Sequence, residues 1–121
     1  MKISKIKEIL TADTLAGEER IDTEVICACG SDLMSDVLAG EAKEEFVLLT
    51  GLVNPQVIRT AEMVDMRAIV FVRGKTPTPE VLELAEEKGI VVLSTKCPLY
   101  IASGLLYTNG LRGAGSVETA L

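Results

Sequence analysis

Between Phe46 and Leu106 one pattern occurs three times: an apolar run, a short polar loop, then a proline opening an amphipathic segment. The runs are Phe46-Val47-Leu48-Leu49, Ala68-Ile69-Val70-Phe71-Val72 and Ile90-Val91-Val92-Leu93, and the openings are Asn54-Pro55, Thr78-Pro79 and Cys97-Pro98. Proline suits the first turn of a helix, where its missing N–H does no harm, so each unit reads as strand, loop, helix. Consecutive units of this size favour parallel strands joined by crossover helices. The strands lack clean alternation, which fits burial on both faces. The expected fold is therefore a three-layer α/β domain, a mostly parallel sheet with helices on both faces.

The flanking chain fills out this scheme. Ser4 is an expected N-cap for a helix carrying Ile3, Ile6, Ile9 and Leu10 and ending near Ala12. Leu15 to Arg20 reads as a turn and Glu18 to Asp22 as solvated surface. A strand Val25-Ile26-Cys27-Ala28-Cys29 ends at Gly30, and a helix marked by Leu33, Met34, Val37 and Leu38 stops at Gly40. Residues 1–110 form one expected domain, while 111–121 mixes Gly, Ser, Thr and Glu without periodicity and reads as a loose tail.

Composition narrows the chemistry. The chain of 121 residues has a net charge of −6 and a pI near 4.7, which disfavours nonspecific attraction to nucleic acid or anionic lipid. No apolar run reaches the roughly 18 residues needed to span a bilayer, and no signal-peptide core follows Met1, so a cytoplasmic location is expected. There is no histidine, which removes Ser-His and Cys-His machinery and histidine-zinc sites. Three cysteines argue against a disulfide framework. Cys27 and Cys29 would share one side of a strand, and Cys97 is distant; small buried hydrophobes are expected rather than a metal or cofactor site.

In open α/β sheets ligands settle beyond the carboxyl ends of the strands. That rule selects Ser31 and Asp32, then Thr50, Gly51 and Asn54, then Arg73, Gly74 and Lys75, then Ser94, Thr95 and Lys96. Three cations thus gather at one edge of an acidic chain, as a phosphorylated metabolite or nucleotide would require. Two readings of Ser31-Asp32 stand: either residue caps the following helix, or the Asp32 carboxylate faces a ligand. Gly74-Lys75-Thr76 looks like the end of a P-loop, but the full pattern needs glycine at position 69, which is Ile69.

Leu48-Leu49-Thr50-Gly51-Leu52-Val53-Asn54-Pro55-Gln56-Val57-Ile58-Arg59-Thr60-Ala61-Glu62-Met63 resembles stand-alone DRTGG-domain proteins, although the naming Asp-Arg-Thr-Gly-Gly string is absent. The stretches Val72 to Pro77, Glu80 to Ile90 and Leu93 to Lys96 are similar to the N-terminal domain of HPr kinase/phosphorylase. The resemblance implies an α/β fold like that of the Mur ligase N-terminal domain and a regulatory module of the kind found beside CBS pairs. In HPr kinase/phosphorylase the phosphotransfer machinery belongs to a separate P-loop domain, so the resemblance implies kinship with a serine kinase and no catalytic residue. The expected role is a non-enzymatic regulatory domain binding a small anionic ligand, forming a homodimer or other homo-oligomer. The alternative is an interaction module docking on a partner enzyme or on itself, with Met34, Met63 and Met66 on an adaptable face.

Overall fold

The computed structural model describes residues 1–39 and 45–113. The three repeated units appear as β3 (Phe46–Thr50) with α3 (Pro55–Met63), β4 (Ala68–Phe71) with α4 (Pro79–Lys88), and β5 (Val91–Ser94) with α5 (Leu99–Thr108). Before them stand α1 (Ile3–Leu10), β1 (Asp13–Ala16), β2 (Cys27–Gly30) and α2 (Met34–Ala39), and after them β6 (Arg112–Gly113). The sheet order is β1-β5-β4-β3-β2-β6, parallel throughout except that β1 runs antiparallel to β5.

Each central strand sends alternate side chains to opposite faces, and both faces are covered. Val47, Leu49, Ala68, Val70, Val91 and Leu93 meet Ile3, Ile6 and Leu10 of α1 and Ala102 and Leu106 of α5. Phe46, Leu48, Ile69, Phe71 and Val92 meet Met34 and Val37 of α2, Val57, Ile58 and Ala61 of α3, and Val81 and Ala85 of α4. The architecture is the expected three-layer α/β sandwich, with α1 and α5 on one side and α2, α3 and α4 on the other. Burying one such aliphatic side chain contributes roughly 1.5–3 kcal/mol, which explains why the apolar runs became the central strands. Among the described residues no helix is long and apolar enough to cross a membrane.

Several local expectations are corrected. Ser4 is not the cap of α1; Lys2 holds that position, and the first-turn N–H groups of Ile3 and Ser4 donate to the carbonyls of Thr23 (2.9 Å) and Ile21 (2.7 Å). Backbone acceptors from the next loop make a side-chain cap unnecessary. Val25 and Ile26 precede β2 rather than belonging to it: Val25 exchanges backbone hydrogen bonds with Met1, and Ile26 is exposed. Leu15 and Ala16, expected in a turn, belong to the strand Asp13–Ala16, and the turn comes at Gly17, whose φ of +77° suits glycine. Of the expected tail, Leu111 is buried and Arg112–Gly113 pairs with β2. The expected stop at Gly40 and the rest of the tail lie outside the described residues.

Pro55 and Pro79 open α3 and α4 as read, with the Asn54 side chain accepting from the Gln56 N–H at 3.0 Å. Pro98 instead occupies the cap position of α5. Met34 and Met66 fill the core, and Met63 is exposed.

A Cβ at position 17 would stand 2.9 Å from the Val91 Cα. Gly17→Ala is expected to lower unfolding stability by about 2 kcal/mol, from the left-handed backbone and this clash together, as read by urea denaturation.

Candidate functional site

At the carboxyl ends of β2 and β3 the selected residues bond chiefly to one another. Ser31 Oγ accepts the Leu33 N–H at 3.0 Å, a tight turn leading into α2. Asp32 does not cap that helix: its Oδ1 accepts the Gly51 N–H at 2.7 Å and the Thr50 hydroxyl at 3.1 Å. Thr50 is fully buried, and its Oγ1 in turn accepts the Leu52 N–H at 3.1 Å. The carboxylate therefore stands at the sheet edge, where it ties the loop after β2 to the loop after β3.

The loop after β4 reaches over the same ground. Arg73 and Gly74 have φ of +60° and +70°, and the Lys75 N–H donates to the Val72 carbonyl at 3.2 Å, which makes a primed turn. A left-handed arginine costs on the order of 1–2 kcal/mol, so the surrounding bonds must hold it. They do: the Arg73 N–H donates to the Cys97 carbonyl at 2.9 Å and the Gly74 N–H to the Thr95 carbonyl at 2.8 Å. The guanidinium then lies across Gly51, where an added Cβ would be 2.7 Å from its terminal nitrogen. Glycine at 51 is what lets the arginine approach.

Beyond β5 the chain turns away to α5 on the opposite face, and a crevice of about 590 Å³ opens there. Gly74, Ser94, Thr95 and Lys96 line it, together with Ile9, Leu10, Thr11, Asp13, Thr76, Cys97 and Leu105. Its size is ordinary for a small-molecule site. Buried Thr95 fixes its floor, with Oγ1 donating to the Leu10 carbonyl at 2.7 Å and accepting the Cys97 N–H at 3.2 Å. Ser94 Oγ donates to the Lys75 carbonyl at 2.9 Å.

The expected site residues thus fall into two neighbouring groups. Gly74, Ser94, Thr95 and Lys96 meet in the crevice, while Ser31, Asp32, Thr50 and Gly51 gather beneath Arg73. Asn54 caps α3, and Lys75 is exposed outside the crevice lining. Thr11, Asp13 and Thr76 line the crevice without having been selected. Thr11 and Asp13 arrive there because β1 pairs with β5, placing Asp13 opposite Ser94. Reading Leu15 and Ala16 as the start of a turn hid the strand that makes this placement.

The cations are the distinctive electrostatic feature. Arg73, Lys75 and Lys96 are all exposed and, like Lys2, Arg59 and Arg67 among the described residues, form no ion pair; what sets the three apart is that they stand together on the loops after β4 and β5. The cysteines are divided: Cys27 and Cys29 pack into the core on the α3 side and Cys97 into the core on the α1 side. Among the described residues no group of three His, Cys, Asp or Glu side chains could hold a metal ion.

No protein-family model matches the chain, and no curated protein matches it. Among solved structures it is similar to the CBS and DRTGG domains of the regulatory region of Clostridium perfringens pyrophosphatase, a structure complexed with the activator diadenosine tetraphosphate. The TM-score is 0.69 at 20% sequence identity, over 87% of this chain and 45% of that one. At that identity the likeness establishes the fold, and the chain spans less than half of that neighbour's length.

Thr95→Val would leave the Leu10 carbonyl and the Cys97 N–H without their buried partner. A loss of roughly 1–3 kcal/mol is expected in thermal or urea unfolding. Burial pushes the Cys29 thiol from its ordinary 9.0 up to about 11. At pH 8 its alkylation by iodoacetamide is accordingly expected to be roughly a hundredfold slower in the folded chain than in the urea-unfolded one, read by mass spectrometry.

Proposed function

We propose that this chain is a non-enzymatic regulatory domain that binds a phosphate-bearing small molecule, an adenine nucleotide being the first candidate, at the carboxyl edge of its sheet. The observation that carries the reading is the set of exposed cations without carboxylate partners, Arg73, Lys75 and Lys96, on the loops after β4 and β5 of a chain whose net charge is −6. In an acidic chain, exposed cations gathered on adjacent loops without an ion-pair partner suit an anion from outside.

The crevice supplies the other half of such a ligand's needs. Ile9, Leu10, Cys97 and Leu105 offer an apolar wall to a base, Asp13 an acceptor for ribose hydroxyls or an exocyclic amine, and Lys96 a charge at the same mouth. Arg73 stands on the loop after β4, outside the crevice lining, with its guanidinium over Gly51 on the loop after β3. The hydroxyls of Thr50, Ser94 and Thr95 serve as struts of the loops, so phosphate recognition falls to the cations and any backbone N–H the ligand can reach. Committing Asp32 and these hydroxyls to loop bonds also favours a binding role over a catalytic one.

The DRTGG-like reading of the sequence and the fold shared with a nucleotide-activated regulatory region support the same conclusion. Occupancy of the crevice would then be relayed to a partner enzyme. A second reading, assembly through an apolar surface, is favoured by the exposed outer side of α5, and the two are compatible because Leu105 lines the crevice and belongs to that side as well.

Calorimetric titration and thermal shift with ATP, diadenosine tetraphosphate and inorganic phosphate test the proposal. Saturable binding of at least one nucleotide is expected, weakened about tenfold or more by Arg73→Ala and by Lys96→Ala and weakened by added salt. Absence of any response, or affinity unchanged in both variants, would overturn it.

A further inference from the structure

The stretch Cys97 to Leu111 contains no charged residue, in a chain where charged residues make up 25%. It includes α5, and α5 alone among the five described helices carries no charge. Its inner side is used, since Ala102 and Leu106 are buried against the sheet. Its outer side is apolar and open: Tyr100 is 86% exposed, Tyr107 51% and Ile101 49%. These residues, with Ser103, Gly104, Leu105 and Thr108, line one shallow continuous depression.

Gly104 is the telling position. A glycine inside a helix is destabilising relative to alanine. Nothing within the molecule requires it, because an added Cβ would meet no atom within 4 Å. The missing side chain therefore leaves room on the outside.

We infer that the outer side of α5 is the contact between two copies of this chain, packed as an antiparallel helix pair about a two-fold axis at Ser103–Gly104. The spacing carries the choice of occupant. In an antiparallel pair crossing there, each residue lies level with the one equally far beyond the crossing on the other copy. Tyr100 and Tyr107 stand symmetrically about the Ser103–Gly104 pair, so Tyr100 of each copy lies level with Tyr107 of the other and the two small residues face their counterparts. Close approach of two helices needs such a small-residue crossing, with aromatic side chains interlocking on either side. Positions 100, 103 or 104, and 107 also follow the 3–4 spacing of a helix-pair seam. Charge opposes a copy of the same chain least on this side. Two chains of net charge −6 repel each other, and an uncharged side is where that repulsion is least.

A ten-residue helix is about 15 Å long, so this contact is smaller than the roughly 800 Å² per partner of a standard interface, and the dimer is expected to form with rising concentration in the micromolar range. Sedimentation velocity between about 1 and 200 µM reads it directly. The wild type is expected to move from 12.9 kDa toward twice that mass. Gly104→Leu fills the crossing while improving helix propensity, so a folded monomer is expected, with association weakened tenfold or more. A paired charge test fixes the geometry. Tyr100→Glu with Tyr107→Glu sets like charges level with each other and abolishes the dimer, whereas Tyr100→Lys with Tyr107→Glu pairs opposite charges across the axis and retains it. A wild type that stays monomeric at 200 µM overturns the inference. So does a dimer that Gly104→Leu and the double glutamate variant leave intact. Neither result depends on nucleotide binding, which is measured separately at Arg73 and Lys96.

Discussion

Every side chain of Phe46–Thr50 and Ala68–Phe71 is buried, so neither face of the central sheet can meet water. That constraint dictates most of the molecule. Both faces must be roofed, and the strands can be roofed on both sides only if the connections divide between them. Three crossover helices cover one face, and the chain must cross to the other after β5 to cover the rest with α5, beside α1. The place where it crosses is where the loops diverge and the crevice opens. The candidate site is thus a by-product of roofing a doubly buried sheet, and the cations are what the sequence adds to it.

Much of this is legible in one dimension because the signals are local. A buried strand announces itself by an unbroken apolar run, and Asn54-Pro55 or Thr78-Pro79 announces a helix start through backbone geometry within two residues. The edge strands carry no such signal. Asp13-Thr14-Leu15-Ala16 becomes a strand only because β5 lies beside it, and Arg112–Gly113 only because β2 does. Pairing partners some 80 residues away are invisible to a local reading.

The site divides along the same line. Its location and its cations followed from the strand ends and from residue type, since Arg73, Lys75 and Lys96 can do little else there than meet solvent or an anion. What the hydroxyls do depended on distances of about 3 Å between loops, and Thr50, Ser94 and Thr95 became struts. Asp32 shows the intermediate case: its position at the edge was legible, and its partners Thr50 and Gly51 were not.

The two margins of the sheet bear on how copies of this protein can meet in a crowded solution. β1 is four residues long, has an irregular register between Thr14 and Ala16, and starts on an exposed aspartate; β6 has two residues. Short, bent or charged margins make poor templates for another strand, so runaway edge-to-edge growth, the usual hazard of a sheet rich in valine and isoleucine, is blocked at both ends. Any meeting of copies is thereby turned from the sheet margins to the helical faces, where a two-fold contact closes on itself instead of propagating.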